Sequence, residues 1–183
     1  MPLIRNGQVA EDRFVRVLDD APIPDGVPVI VPAARFLADA EDILRRDAPA
    51  GVLWPNNRRV SELEPYLDRL AVIVLMFPNF KDGRGYSQAR LLRERYGFRG
   101  ELRATGQILR DQFLFLVRAG FNSLDVVKTS DADAFTAALS RYSVFYQVAG
   151  EGRASAARQR LSRLSAAAPG EGVEFRSGRS SFA

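Results

Sequence analysis

The chain has 183 residues, 46% hydrophobic and 26% charged, a balance that suits one compact domain and leaves little room for a second. It contains neither cysteine nor histidine. That excludes disulfides, thiolate zinc sites, cysteine-held iron–sulfur clusters, thiol nucleophiles and the commonest general base, so no metal site is expected and proton transfer would fall to carboxylates, Lys or Tyr.

The formal net charge of +4 is uneven. From Glu151 onward six arginines face three acids, which leaves the preceding residues at +1 and argues against nucleic acid as a partner. We read residues 1–149 as a single α/β domain and the basic, Ala/Ser/Arg/Gly-rich stretch 150–183 as a poorly ordered tail. The longest apolar run, Leu70 to Phe77, is far short of the roughly 20 residues that cross a bilayer, and Arg5, Glu11 and Asp12 interrupt the N-terminus. A cytoplasmic protein without membrane contact is expected.

In chain order, Leu3 to Val17 predicts two extended segments around Asn6-Gly7, a hairpin-turn dipeptide, placed as a ribbon at the sheet edge. Val27 to Val31 predicts a strand and Ala34 to Arg46 a helix with Phe36, Leu37, Ala40 and Leu44 at helical spacing. Gly51 to Trp54 is a short strand, Glu62 to Arg69 a helix that Pro65 shortens, and Ala71 to Met76 a strand covered on both faces. Ser87 to Tyr96 predicts a helix stopped near Gly97 and Gly100, Glu101 to Ala104 a weak strand, and Gln107 to Ala119 a helix ended by Gly120. Ser123 to Val127 is a strand, Asp131 to Tyr142 a helix whose Ser130 and Asp133 have capping-box spacing, and Tyr142 to Val148 a last strand candidate. This alternation predicts βαβ crossovers and a mostly parallel sheet of about five strands, open or partly curled like a half barrel.

Ligands of such sheets bind at the loops after the strands. Those loops read as Pro55 to Arg58, Pro78 to Tyr86, Arg103 to Gly106, and Lys128-Thr129. In the second, Gly83 and Gly85 would let backbone amides approach an anion, Ser87 would cap the next helix, and Lys81, Arg84 and Arg90 would add charge. Arg103 and Arg110 with Asp111 are further candidates for that pocket, or for surface ion pairs. Asp82 and Tyr86 are the candidate acid–base pair, against the plainer reading that Asp82 serves a turn and Tyr86 packs. No dinucleotide fingerprint or Walker motif occurs, because Gln88 stands at the third glycine position, so neither flavin nor nicotinamide nucleotide has motif support and no cofactor is evident. Helix Gln107 to Ala119 is apolar on more than one face, with Leu109, Phe113 and Leu116 in one stripe and Leu114 among Arg110, Asp111 and Arg118. A buried helix and an interface, for a homodimer or another partner, both fit.

The run from Phe77 to Gly97, with Gly100 to Gly106, Leu109 to Phe113, the opening Met1 to Ile4 with Asn6-Gly7, and Ser143 to Gln147, resembles the bacterial family called domain of unknown function 934 over about residues 1 to 148. Members are commonly labelled oxidoreductases of sulfite reduction, because their genes tend to lie beside those of sulfite reductase and sulfate assimilation. The resemblance implies an accessory of sulfur assimilation that binds a small anion or a partner such as sulfite reductase, or else a small enzyme acting on an anionic substrate through the Asp82 to Ser87 loop. A cysteine-free chain cannot be the subunit that carries sirohaem and its cluster. The resemblance assigns no catalytic residue.

Overall fold

A computed structural model describes residues 2–128 and 130–140, together with positions 156, 158–160 and 162, which are helical. The last strand candidate and nearly all of the tail, apart from those five positions, fall outside the described residues.

Strands β1 (Leu3–Arg5) and β2 (Gln8–Ala10) form the expected hairpin, with Asn6 at φ 51° and Gly7 at φ 87° supplying the turn. The next strands are β3 (Val15–Arg16), β4 (Val29–Pro32), β5 (Ala50–Trp54), β6 (Val72–Phe77), β7 (Glu101–Gly106) and β8 (Ser123–Asp125). All eight join one sheet in the order β2-β1-β8-β7-β6-β5-β4-β3. From β3 to β8 every neighbouring pair is parallel, whereas β1 pairs antiparallel with both β8 and β2. The expected five-stranded, mostly parallel sheet is therefore corrected to a mixed sheet with eight strands among the described residues. The expectation undercounted because β3 is two residues long, too short to show alternation, and because hairpin and core strands share one ladder.

Consecutive parallel strands in sequence order send every right-handed crossover over the same face. That face carries α1 (Ala33–Ala38), α2 (Ala40–Arg45), a 3₁₀ helix (Val60–Tyr66, containing Pro65), α3 (Arg84–Arg90), a π-turn (Leu91–Arg95), a second 3₁₀ turn (Arg110–Gln112), α4 (Phe113–Ala119) and α5 (Asp131–Ser140). The expected first helix is thus two, broken at Asp39, whose φ of −120° leaves the helical region. Alternate strand residues Val29, Val31, Val52, Trp54, Ile73, Leu75, Phe77, Leu102, Ala104 and Leu124 meet Phe36, Ile43, Leu63, Leu92, Phe113 and Phe135 in the main core. The opposite face buries Ile30, Val72 and Val74, with Phe14 and Leu53 packed against them. Strand β6 is covered on both faces, as its unbroken apolar run predicts.

The sheet curls. Strands β3 and β8 are five strand spacings apart, roughly 24 Å across a flat sheet. Even so, Arg16 of β3 forms an ion pair with Asp125 of β8, and Asp12, just before β3, holds Arg103 of β7 at 2.6 and 3.0 Å. An arginine side chain spans only a fraction of that width, so the parallel strands wrap into a half barrel. Among the described residues, no helix is long and apolar enough to cross a membrane.

Candidate functional site

The loops that follow the parallel neighbours β5, β6 and β7 leave at the same carboxyl edge of the sheet, where α/β sheets place their ligands. Gln88 of α3 is buried and donates from Nε2 to the carbonyls of Pro55 and Arg58, at 3.1 and 2.9 Å, fixing the loop after β5 beside that after β6. Gln112 donates from Nε2 to the Phe80 carbonyl at 2.8 Å and ties in the start of α4.

Within the β6–α3 loop, Asn79 folds the chain through its side-chain oxygen, which accepts from the Lys81 amide at 2.9 Å. Asp82 accepts from the Arg84 amide at 3.2 Å, and its two carboxylate oxygens take Arg84 Nε and Nη2 at 3.0 and 2.6 Å. The Arg84 side chain, its amide and the nearby Asn56 amide together hold the Asp82 carboxyl far below the usual carboxylate range, although burial opposes them. The Arg84 guanidinium is raised in turn by Asp82. Tyr86 packs edge-on against Phe77 with ring centres 5.3 Å apart, and burial, with the Asp111 charge, pushes its phenol up. At neutral pH Asp82 is an ionised, weakly basic partner of arginine and Tyr86 stays protonated, so the candidate acid–base pair is poorly matched to proton transfer.

The binding candidates divide. Helix α3 begins at Arg84, so Ser87 is its exposed fourth residue and caps nothing. Gly83 has an ordinary φ of −78° and its added Cβ would meet no atom nearer than 4.0 Å. Gly85 is needed for packing, because a Cβ there would lie 2.6 Å from the Phe77 ring. Lys81 sits 5.6 Å from the Phe80 ring centre, and Arg90 pairs with Glu94 at 3.3 Å.

Arg103, expected both in the weak strand Glu101 to Ala104 and at the start of the loop after it, lies inside β7 on the face away from the helices and is fully buried. Asp12 binds its fork, Glu101 accepts from its Nε at 2.9 Å, Asp125 lies 3.7 Å away, and Phe14 covers it at 5.9 Å. Burial would lower the Arg103 guanidinium, but these carboxylates raise it. Glu101 also accepts from Arg5 and Ser123, each at 2.7 Å, so this is a closed structural network far from the loop. Arg110 pairs with Asp131 rather than Asp111 and donates to Ser130 Oγ at 3.1 Å. Among the described residues, no three acids stand close enough together to hold a metal ion.

Sequence reasoning missed two features. Gln88 carries no motif signal. The exposed apolar side chains Phe80, Leu91, Leu109 and Phe115 were visible only in part, because helical periodicity placed Leu109 in the buried stripe with Phe113 and Leu116. In the structure Leu109 is 44% exposed, Phe115 is 61% exposed and Leu114 is half-buried.

The family model described as bacterial protein of unknown function, DUF934, matches residues 51–157. This chain is a DUF934 protein. The matched stretch runs from β5 through α5 and so contains the β6–α3 loop, α3, the π-turn and the whole Arg103 strand. The resemblance read from the motif between Phe77 and Gly97 identifies the family, but the match starts at residue 51 rather than at the N-terminal hairpin and reaches past residue 148. No curated protein matches this DUF934 chain.

Proposed function

We propose that this DUF934 protein serves assimilatory sulfite reduction as an accessory that binds a partner enzyme and performs no redox chemistry itself. The single observation that carries the choice of binding over catalysis is the closed Asp82–Arg84 pair, which occupies the carboxylate and the guanidinium at the centre of the sequence motif. Arg103 is likewise enclosed by carboxylates and Arg110 is paired with Asp131, so three of the five candidate cations are engaged by acids, while Arg90 makes only an exposed contact with Glu94, which favours a protein partner over a small free anion. Phe80 in the β6–α3 loop, Leu109 before α4 and Phe115 on α4 are exposed and supply apolar contact area. The connection to sulfite reduction rests on the gene context of the family.

The test mixes purified protein with the haemoprotein of sulfite reductase, follows complex formation by analytical ultracentrifugation, and compares sulfite turnover with and without it. A defined complex is expected. A protein that stays free, yet reduces or transforms sulfite alone and loses that activity in the Asp82→Ala/Arg84→Ala double variant, would replace the reading with the small-enzyme alternative. A thermal shift with sulfite, sulfate or phosphate that vanishes in Arg84→Ala would favour an anion ligand instead.

A further inference from the structure

Charge is distributed along this chain in blocks. Residues 1–80 carry nine cations and twelve acids, while residues 81–99 carry six cations, Lys81, Arg84, Arg90, Arg93, Arg95 and Arg99, against Asp82 and Glu94 alone. This one segment, at +4, matches the formal net charge of the entire protein. It runs through the β6–α3 loop, α3, the π-turn and the residues leading to β7, and Lys81, Arg84, Arg90, Arg95 and Arg99 are exposed along it.

The π-turn decides which side chains that segment presents. The Tyr96 amide bonds back to the Leu91 carbonyl at 3.0 Å, five residues away, and the widened turn directs Leu92 and Arg93 inward together. Leu92 is fully buried. Arg93 donates to the carbonyls of Gly120, Phe98 and Gly100 at 2.9, 2.7 and 2.9 Å, so it is spent on structure. Leu91 is left outside, 41% exposed, between Arg90, Glu94 and Arg95. Ser87, Arg90, Leu91, Glu94 and Arg95 line a shallow groove of about 370 Å³.

Resting on the partner-binding reading above, we propose that the α3–π-turn groove docks an acidic patch of the partner protein, with Leu91 entering an apolar hollow and Arg90 and Arg95 meeting carboxylates at the rim. Charge complementarity selects the occupant: a basic block that follows an acidic stretch, residues 1–80, draws acidic surfaces, and the exposed Leu91 between Arg90 and Arg95 supplies the desolvated contact. Nucleic acid fits less well, because Glu94 lines the groove and, among the described residues, no aromatic ring lines it for base stacking.

The experiment measures binding to the sulfite reductase haemoprotein by biolayer interferometry at low and high salt. It compares the wild type with Arg90→Glu/Arg95→Glu, with Leu91→Ser, and with Arg45→Glu, an exposed arginine on α2 outside the groove. The double reversal is expected to weaken binding at least tenfold, mainly through slower association, and Leu91→Ser to speed dissociation with little change in salt dependence. Arg45→Glu should match the wild type. Poly-glutamate should compete with the haemoprotein for the unaltered protein, which tests the face without any substitution.

Equal binding by the wild type and a double variant that melts normally would overturn this docking face while leaving the partner reading intact. A wild type that binds no haemoprotein would refute the partner reading, and this inference with it. Salt-sensitive capture of a short DNA duplex in place of the haemoprotein would overturn the acidic-protein occupant.

Discussion

Replacing Arg103 with methionine tests whether the inner-face charge network holds the half barrel closed. Arg103 is fully buried, and its loss strips a cation from Asp12, Glu101 and Asp125. Breaking a buried pair costs roughly 3–5 kcal/mol. The low end applies because Asp12 is a quarter exposed and can rehydrate, while Glu101 keeps Arg5 and Ser123 and Asp125 keeps Arg16. A loss of about 3 kcal/mol corresponds to roughly 6–12 °C in melting temperature for a chain of this size.

The pH dependence adds a signed check. Burial alone would push the Asp12 carboxyl up, but the hydrogen bonds and charge of Arg103, the Phe14 amide and Arg16 outweigh it and hold the carboxyl below its ordinary value. A depressed carboxyl contributes stability that is present above the unfolded pKa, near 4, and is lost as pH falls through the folded value. Wild type should therefore lose part of its advantage in acid, and the gap to Arg103→Met should be wide at pH 7 and narrower at pH 3. Calorimetric melts across that range provide the measurement. A variant melting within about 2 °C of wild type at pH 7, or a gap that widens in acid, would refute the argument.

Gly85→Ala should destabilise by about 1–3 kcal/mol, because its Cβ would press on the Phe77 ring, and Phe77→Leu in the same chain should recover part of that loss in a melt. Arg93→Ala should cost roughly 2–3 kcal/mol by leaving three carbonyls without their guanidinium donor, with faster hydrogen exchange at the Tyr96 and Phe98 amides as the local signature. Asp82→Asn with Tyr86→Phe should leave affinity for the sulfite reductase haemoprotein within about twofold of wild type. A tenfold loss of sulfite turnover in that variant, with binding intact, would return catalysis to the loop.

Much of the helical face was legible in the sequence because each element there answers to a local rule. Asn6-Gly7 demands a hairpin, Gly120 ends a helix at φ 106°, and the apolar run through β6 needs cover on both sides. The family was legible too, because its motif between Phe77 and Gly97 is long and continuous. Arg103 was assigned to the pocket and the strand Glu101 to Ala104 was cut short although a signal existed: Leu102 and Ala104 alternate with Arg103 and Thr105, the pattern of a strand with one polar face. A fully buried arginine contradicts composition rules unless its partners are known, and Asp12 lies 91 residues away.

What the sequence alone determined was chemistry by composition: no thiol, no imidazole, a basic block at residues 81–99, and strands and helices in alternation. The tertiary structure decided how those groups are used. It turned Asp82 and Arg84 onto each other, closed Arg103 under Phe14, joined eight short strands into one curled sheet, and rotated Leu91 outward while Leu92 and Arg93 turned in. These outcomes depend on side chains meeting across long stretches of chain or across one widened turn, and a local pattern carries no distance between residues that only the closed sheet brings together.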